Sequence, residues 1–229
     1  EDKVYGSGAQ DMKGSVFILC EILKELNKQN KLQNIIFYIS PQEETATLDY
    51  REEIEKLSKK ANYAMVFEST MDSYPAGSEN QRSLVISRKG FDMFDLEITG
   101  PGGHSGVITR QHERHSSILS AARIVNKLEE LADYEKETTF NTGFFHGGDA
   151  VNVLATSARI SFETRFRTIE EYDRVKEAIT KVLETNIQSP LAYKLKSHKF
   201  YPPFNTNSKE DHFVKLCKEV ANSLNIEII

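Results

Sequence analysis

The spacing of hydrophobic residues in the first part of the chain alternates between helical and strand-like. Residues 14–26 carry apolar side chains every three to four positions, and the charged segment 49–60 is also helical in pattern. Uninterrupted apolar runs at 35–39 and 62–68 have the length and composition of buried strands. This helix–strand–helix–strand alternation predicts an α/β fold with a parallel sheet and covering helices.

The pattern changes after Lys89-Gly90, where apolar positions recur at near-alternate spacing. The elements predicted beyond this point are a strand through Phe91–Ile98, a helix at 112–131, strands at 138–146 and 157–166, a helix at 169–185 and a strand at 191–199. The order β-α-β-β-α-β is that of a ferredoxin-like unit, which can form a small domain of its own.

The predicted domain organisation is therefore discontinuous. Residues 1–88 and 200–229 form the α/β part, and the ferredoxin-like unit at 89–199 is inserted between them. An amphipathic helix at 208–224 and a short strand-like end at 226–229 complete the second α/β piece. The first piece is too small to close a sheet, and both ends stop abruptly, so we expect flanking sequence to be missing.

Composition excludes some functional classes. The 229 residues include 29 basic and 34 acidic side chains, for a net charge of -5, without a basic stripe interleaved with aromatics. Neither nucleic acid nor a membrane is therefore an expected partner, and no apolar run approaches the roughly 20 residues of a membrane helix. Cys20 and Cys217 lie in apolar helical patterns and are predicted to be free thiols, which favours a cytoplasmic location.

Candidate chemistry is concentrated in acidic residues where hydrophobic runs stop. They are Asp11 in GSGAQDMKG, Glu43 and Glu44 in SPQEET, and Glu68 in YAMVFEST. Ligands collect at strand ends in open α/β sheets, and clustered carboxylates suit divalent metals and the activation of water. The pattern predicts a two-metal hydrolase site.

Each acidic position also has an ordinary structural explanation. Asp11 could cap the following helix, the Glu43–Glu44 pair could belong to a solvated loop, and Glu68 could end a strand in water. The glycines before Asp11 resemble a phosphate loop, but the Walker and dinucleotide patterns are incomplete. A phosphate-binding protein is accordingly disfavoured.

Four motifs in order give the chain a family resemblance. They are GSGAQDMKG (6–14), QEET (42–45) with ANYAMVFE (61–68), ITGPGGHSG (98–106), and HGGDAVNVLATSARISFETRF (146–166). The sequence resembles the zinc-dependent exopeptidases and deacylases that include glutamate carboxypeptidase, acetylornithine deacetylase and succinyl-diaminopimelate desuccinylase. The likeness covers essentially the whole chain and is nearest to the glutamate carboxypeptidase branch. It implies an incomplete zinc-exopeptidase catalytic domain with an inserted ferredoxin-like lid and dimerisation domain.

The resemblance implies a set of metal-site roles. Asp11 would bridge two divalent ions, expected to be zinc, while Glu44 would bind one ion and Glu68 the other. Glu43 would be the general base that takes a proton from the attacking water and passes it to the leaving amine. The family also has an upstream Gly-His-x-Asp motif and a downstream His ligand, and neither falls within this chain. With three of five ligands, the chain by itself is predicted to bind metal incompletely and to have little activity.

The lid would supply further site residues in the same family pattern. His104 would stabilise the oxyanion, often across a homodimer formed through the lid, and Asn152 and Arg165 would hold the substrate. Without the resemblance, His104 and Asn152 are explained as turn residues and Arg165 as part of a surface salt bridge. The remaining histidines match no metal motif and are interpreted as surface or structural: His112, His115, His146, His198 and His212.

Three functional hypotheses follow. The leading one is a metal-dependent hydrolase that releases a C-terminal amino acid, with glutamate as one candidate, from peptides or N-acyl conjugates. The second is an N-acyl-amino-acid deacylase of the same family. The third is a non-catalytic dimerisation module that keeps the fold, against which the presence of all four acidic residues argues.

Overall fold

The computed structural model describes residues 4–40, 50–68, 81–82, 84–206 and 211–228. The chain divides into two compact units. The first takes its described residues from within 1–84 and 209–229, and the second is the continuous stretch 85–208. The second unit is thus inserted in the sequence of the first.

Helices and strands alternate through both units. The helices are α1 (Gly14–Lys28), α2 (Arg51–Ser58), α3 (Ser117–Glu129), α4 (Ile169–Asn186) and α5 (His212–Ser223). The strands are β1 (Gln81–Arg82), β2 (Ser87–Arg88), β3 (Gly90–Thr99), β4 (Thr139–Gly147), β5 (Ser157–Phe166), β6 (Ala192–Tyr201), β7 (Phe204–Asn205) and β8 (Glu227–Ile228). None of the described helices combines the length and the apolar character needed to cross a membrane.

The first unit contains the predicted helices but lacks two predicted strands. Helices α1, α2 and α5 lie where the sequence predicts them, and Cys20 and Cys217 on α1 and α5 are free thiols. In the described part of this unit, only the two-residue strands β1 and β8 form a ladder, which is parallel.

The strands predicted at 35–39 and 62–68 are wrong for this structure. Both segments are non-helical, but the described residues contain no ladder that includes them. Most of their apolar side chains are exposed, with Ile39 at 55% and Val66 at 80%, while Tyr38 and Phe67 are half-buried. An apolar run encodes a preference for burial, but a strand forms only where a neighbour supplies backbone partners.

The second unit has the predicted β-α-β-β-α-β order. Strands β3 to β6 form an antiparallel sheet in the order β4-β5-β3-β6, which is the ferredoxin-like arrangement. The short antiparallel pair of β2 and β7 joins the two ends of the unit through Ser87–Asn205 and Arg88–Phe204. Both chain connections to this unit therefore leave from the same end of the sheet.

The core lies between one face of the sheet and helices α3 and α4. Burial alternates along β3 and β5, so every second side chain points to the helices and the others line the opposite face. The inward residues include Phe94, Leu96, Ile98, Ile160 and Phe162 from the strands and Ile124, Leu128, Val175, Ile179 and Leu183 from the helices. This burial is the main term that holds the unit together.

One charged side chain is buried beside this core. Asp92 on β3 is fully buried, and its two carboxylate oxygens accept hydrogen bonds from Tyr172 Oη and Ser197 Oγ, each at 2.7 Å. A buried carboxylate is costly unless it is hydrogen bonded, and these two bonds join β3 to α4 and β6. Burial, followed by the hydrogen bond to Asp92, raises the pKa of Tyr172 well above its usual range.

The Asp92 network gives a stability prediction. Tyr172→Phe keeps the ring contacts with Phe166 and Phe200, at centroid distances of 4.7 and 4.8 Å, but leaves one Asp92 oxygen without its donor. We expect the free energy of unfolding at neutral pH, measured with urea, to fall by about 1–3 kcal/mol. Tyr134→Phe, at an exposed position, is the control and should change little.

The same variant tests the raised pKa of Tyr172. Above pH ~10 an unfolded tyrosine loses its proton, whereas folded Tyr172 keeps it, so the wild-type free energy of unfolding should decline as pH rises. Tyr172→Phe lacks this contribution, and the gap between the two proteins should narrow above pH ~10. A constant gap across this range would contradict the assignment.

Candidate functional site

A loop at one end of the four-stranded sheet presents His104. The chain leaves β3 at Thr99 and passes through Gly102 and Gly103, whose φ angles of 71° and 138° are readily adopted only by glycine. A turn follows, in which the Val107 amide donates to the His104 carbonyl at 3.1 Å. His104 itself is exposed.

A second loop, between β4 and β5, pairs with the first. The Leu154 amide donates to the Gly103 carbonyl at 2.7 Å, and the Ser105 amide donates to the Asn152 carbonyl at 3.0 Å. His104 and Val153 form an antiparallel bridge between these bonds. We call this pairing of 103–105 with 152–154 the loop clip; it brings His104 and Asn152 together.

The loop clip is attached to the folded core. Leu154 and Ala155 are buried, and the Ala155 carbonyl accepts a hydrogen bond of 3.0 Å from the amide of Ser117, the first residue of α3. The Gly100 amide donates to the Thr156 carbonyl at 2.8 Å, which extends the pairing of β3 with β5 toward the clip. The position of His104 is therefore set by the sheet and by α3.

The imidazole of His104 has a defined hydrogen-bond polarity. Its Nδ1 accepts a hydrogen bond of 3.1 Å from the backbone amide of Gly106. A neutral imidazole that accepts at Nδ1 carries its proton on Nε2. The exposed Nε2–H group can then donate a hydrogen bond to an oxygen that gains negative charge.

Arg165 lies near the other end of β5, on the face of the sheet away from the helices. Its Nε donates to Glu163 Oε1 at 2.9 Å and its Nη2 to Glu163 Oε2 at 3.4 Å. Its guanidinium carbon is 5.8 Å from the centroid of the Phe91 ring, and Lys199 Nζ is 5.9 Å from the same centroid. Arg165 thus takes part in the surface ion pair that the sequence left open as its structural explanation.

The register of the sheet separates Arg165 from the loop clip. Thr99 pairs with Ser157 at the clip end, and Phe91 pairs with Arg165 eight residues farther along. At a rise of about 3.4 Å per residue, the two ends are roughly 27 Å apart along the strand. The structure brings His104 and Asn152 together, but it does not bring Arg165 to them.

The predicted metal ligands are described only in part. Asp11 is exposed in the turn Ala9–Lys13 before α1, and the peptide bond between Asp11 and Met12 is cis. Glu68 is half-buried. Glu43 and Glu44 lie outside the described residues. Helix α1 begins at Gly14 with Lys13 as its N-cap and has no side-chain cap hydrogen bond, so the helix-cap interpretation of Asp11 is wrong.

The described residues do not assemble a metal centre. Within them, no group of three or more His, Cys, Asp or Glu side chains is close enough to hold an ion. The donor chemistry of Asp11 and Glu68 nevertheless fits a divalent cation, because both offer carboxylate oxygens and Asp11 is exposed to solvent.

The sequence left open which residue pairs with Arg165, and it gave no indication of the contact between Gly106 and His104. Glu163 and Arg165 are two positions apart on one strand and therefore lie on the same face, a spacing that could have predicted their pairing. The hydrogen bond from the Gly106 amide to His104 had no sequence signal, because it depends on the conformation of the turn.

Comparison with known proteins identifies the second unit. Residues 86–189 match the peptidase dimerisation domain of the M20 family. The chain is 26% identical over 189 residues to carboxypeptidase G2 of Pseudomonas sp. (strain RS-16), covering 82% of the chain and 42% of that relative. It is 25% identical over 204 residues to acetylornithine deacetylase of Myxococcus xanthus, covering 84% and 50%.

Solved structures agree with this relationship at the level of the fold. The aminopeptidase PepT of Bacillus cereus ATCC 10987 superposes with a TM-score of 0.71 and 23% identity over 94% of this chain and 54% of that chain. A tripeptidase of Staphylococcus aureus subsp. aureus Mu50 gives a TM-score of 0.54 and 25% identity, covering 64% and 39%.

The relatives are longer than this chain. Succinyl-diaminopimelate desuccinylase of Rickettsia bellii (strain OSU 85-389) is 24% identical over an alignment that covers 97% of the chain but 59% of the relative. The chain spans about half the length of the curated relatives it matches. The domain match and these relatives agree: residues 86–189 form a dimerisation domain of the M20 peptidase family, and the chain resembles members of that family at about 25% identity.

Proposed function

We propose that this chain is part of a metal-dependent hydrolase that cleaves an amide bond and releases a C-terminal amino acid from peptides or N-acyl conjugates. Its relatives are M20 metallopeptidases and amidohydrolases. Residues 1–88 and 200–229 would belong to the catalytic domain, and residues 89–199 would be the lid. The observation that carries the proposal is the loop clip, in which the backbone of 103–105 pairs with that of 152–154 and His104 offers an Nε2–H donor.

The acidic residues would hold the metal and move protons. Asp11, Glu44 and Glu68 would hold two divalent ions, expected to be zinc, through their carboxylate oxygens. Bound ions of this kind lower the pKa of water and polarise a carbonyl group. Glu43 would accept a proton from the attacking water and deliver it to the leaving amine.

The lid residues would bind the substrate and stabilise charge. His104 Nε2–H would donate to the carbonyl oxygen as negative charge develops on it, and Asn152 would hold the substrate nearby. Arg165 would bind a substrate carboxylate through two parallel hydrogen bonds, the geometry it already makes with Glu163. The carboxylate of the substrate would then compete with Glu163 for the guanidinium group.

The distance between Arg165 and the loop clip of the same lid favours an active site built from two chains. A small substrate cannot span roughly 27 Å, so one molecule would not contact both Arg165 and the loop clip of the same lid. We therefore assign the loop clip of one chain to the active site of its partner in a homodimer. The dimerisation-domain match supports this arrangement.

The two edges of the sheet differ in their fitness for pairing with a second copy. Edge strand β4, with the sequence TFNTGFFHG, has no Lys, Arg, Asp or Glu and exposes Phe144 and Phe145, at 53% and 47%. The opposite edge, β6, carries Lys194, Lys196 and Lys199. Lysines on an edge disfavour strand addition, and so the dimer is assigned to the β4 edge.

The dimer assignment is tested by placing a charge on β4. Phe145→Lys should shift the protein toward monomer, because two symmetric copies would bring like charges together at the shared edge. Phe204→Lys, at a residue of nearly equal exposure (46%) on β7, is the matched control and should remain dimeric. Sedimentation velocity reports both, and a monomeric wild type would overturn the assignment.

The catalytic proposal is tested on the chain extended to its full parent reading frame. About two zinc ions should bind per chain, and Glu44→Ala should reduce this number. Glu43→Gln should keep the metal but lower kcat for N-acyl amino acids or peptides ending in glutamate by about 10²–10⁴-fold. If the extended protein binds no divalent metal, the catalytic proposal is wrong, and the hypothesis of a non-catalytic dimerisation module is favoured.

The same substrate screen separates the two enzyme hypotheses. The relatives include a carboxypeptidase and two enzymes named for removing acyl groups from amino acids, acetylornithine deacetylase and succinyl-diaminopimelate desuccinylase. Preference for short acyl groups would favour the deacylase hypothesis, and preference for peptides or large conjugates would favour the carboxypeptidase hypothesis.

A further inference from the structure

We infer that the backbone amide of Gly106 is a positioning group that holds His104 in the Nε2–H tautomer. The inference deepens the proposed function, since it concerns the group assigned to stabilise the oxyanion. It stands on one contact, the 3.1 Å hydrogen bond from the Gly106 amide to His104 Nδ1, and on the backbone bonds around that contact.

The Gly106 amide is fixed in direction by its neighbours. The Ser105 amide donates to the Asn152 carbonyl at 3.0 Å, and the Val107 amide donates to the His104 carbonyl at 3.1 Å. These bonds hold the backbone on both sides of Gly106. The Gly106 amide between them donates to the imidazole, so the conformation of the turn also fixes the orientation of the His104 ring.

The tautomer follows from hydrogen-bond polarity. With its proton on Nε2, the ring has a lone pair at Nδ1 that accepts from Gly106. With its proton on Nδ1, two N–H groups would face each other and Nε2 would offer a lone pair to the substrate oxygen. A single ordinary hydrogen bond should shift the tautomer ratio roughly two- to tenfold toward Nε2–H. This tautomer is the one that can donate to a developing negative charge.

A second histidine in the same unit provides an internal comparison. His198 on β6 has its Nδ1 at 3.4 Å from Asp95 Oδ2, while the other oxygen of Asp95 accepts from Ser161 Oγ at 2.7 Å. A carboxylate beside Nδ1 favours a proton there, which is the opposite tautomer. The two histidines of one molecule are therefore expected to differ.

The inference is tested by nitrogen NMR on the chain itself. Long-range proton–nitrogen correlation of ¹⁵N-histidine-labelled protein, at a pH where the histidines are neutral, distinguishes protonated from unprotonated ring nitrogens. His104→Gln and His198→Gln assign the two rings. His104 should show Nε2–H in greater excess than the same chain unfolded in urea, and His198 should show more Nδ1–H. A His104 ratio equal to the unfolded value would overturn the inference.

Two variants of Gly106 separate the amide from the side chain. Gly106→Ala keeps the N–H, and its Cβ would lie 3.4 Å from His104 Cε1 and 3.5 Å from Nδ1, ordinary contact distances. Gly106→Pro removes the N–H. The His104 tautomer ratio should persist in Gly106→Ala and move to the unfolded value in Gly106→Pro, with His198 unchanged in both as the sign of a folded lid. A retained ratio in a folded Gly106→Pro protein would contradict the inference.

A kinetic test of the same inference uses the chain extended to its full parent reading frame. Gly106→Pro should lower kcat by no more than the roughly two- to tenfold change in tautomer ratio, with little change in KM, and Gly106→Ala, which keeps the N–H, should lose less, because the donor acts on the transition state. If the NMR result holds but the parent hydrolyses nothing, the proposed function fails and the tautomer assignment stands. If the parent is active and the NMR result fails, the proposed function stands and the tautomer assignment is wrong.

Discussion

The antiparallel pairing of β3 with β5 determines where the lid residues of the proposed site lie. The ten-residue register runs from Gly90–Phe166 to Thr99–Ser157 without a break. The loop clip continues from one end of this pairing, and Arg165 lies near the other. Because side chains alternate across a strand, a slip of one residue would turn Arg165 into the core and its buried neighbours outward. The buried residues of β3 and β5 thus hold the site residues in place.

The two faces of this sheet have different tasks. The inner face is apolar and packs on α3 and α4, with Asp92 as a buried charge that ties β3, α4 and β6 together through hydroxyl donors. The outer face is charged, and Arg165 and Arg159 pair there with Glu163 and Glu97. The Glu163 carboxylate orients the guanidinium group of Arg165, and any other carboxylate that binds the same edge would have to displace it.

The fold of the second unit could be predicted from sequence because the information that specifies it is local. Alternation along β3 and β5 and helical spacing in α3 and α4 encode which side of each element is buried, and the β-α-β-β-α-β order follows. The strands expected at 35–39 and 62–68 could not be settled in this way, because a ladder depends on neighbours that are distant in sequence. The alternative explanation of Asp11 as a helix cap is wrong for a local reason: the helix begins three residues later, at Gly14, with Lys13 as its N-cap.

The sequence predicted which residues belong to the candidate site better than it predicted how they are arranged. The family resemblance of the motifs around His104 and Asn152 pointed to these two residues, and the structure adds that the backbone segments 103–105 and 152–154 are paired. The thirteen-residue spacing from Asn152 to Arg165 gave no warning that β5 carries Arg165 to the far end of the sheet. The tautomer of His104 depends on one backbone amide and is invisible in the sequence.

The shared active site can be tested most directly by subunit complementation in the extended parent protein. His104→Ala and Glu43→Gln, each expected to be inactive alone, would be purified with different tags, mixed, and allowed to exchange subunits. If His104 serves the active site of its partner, mixed dimers contain one intact site, and hydrolysis should reappear on mixing. Mixed dimers that are isolated through both tags and remain inactive would contradict the assignment of the loop clip to the neighbouring chain.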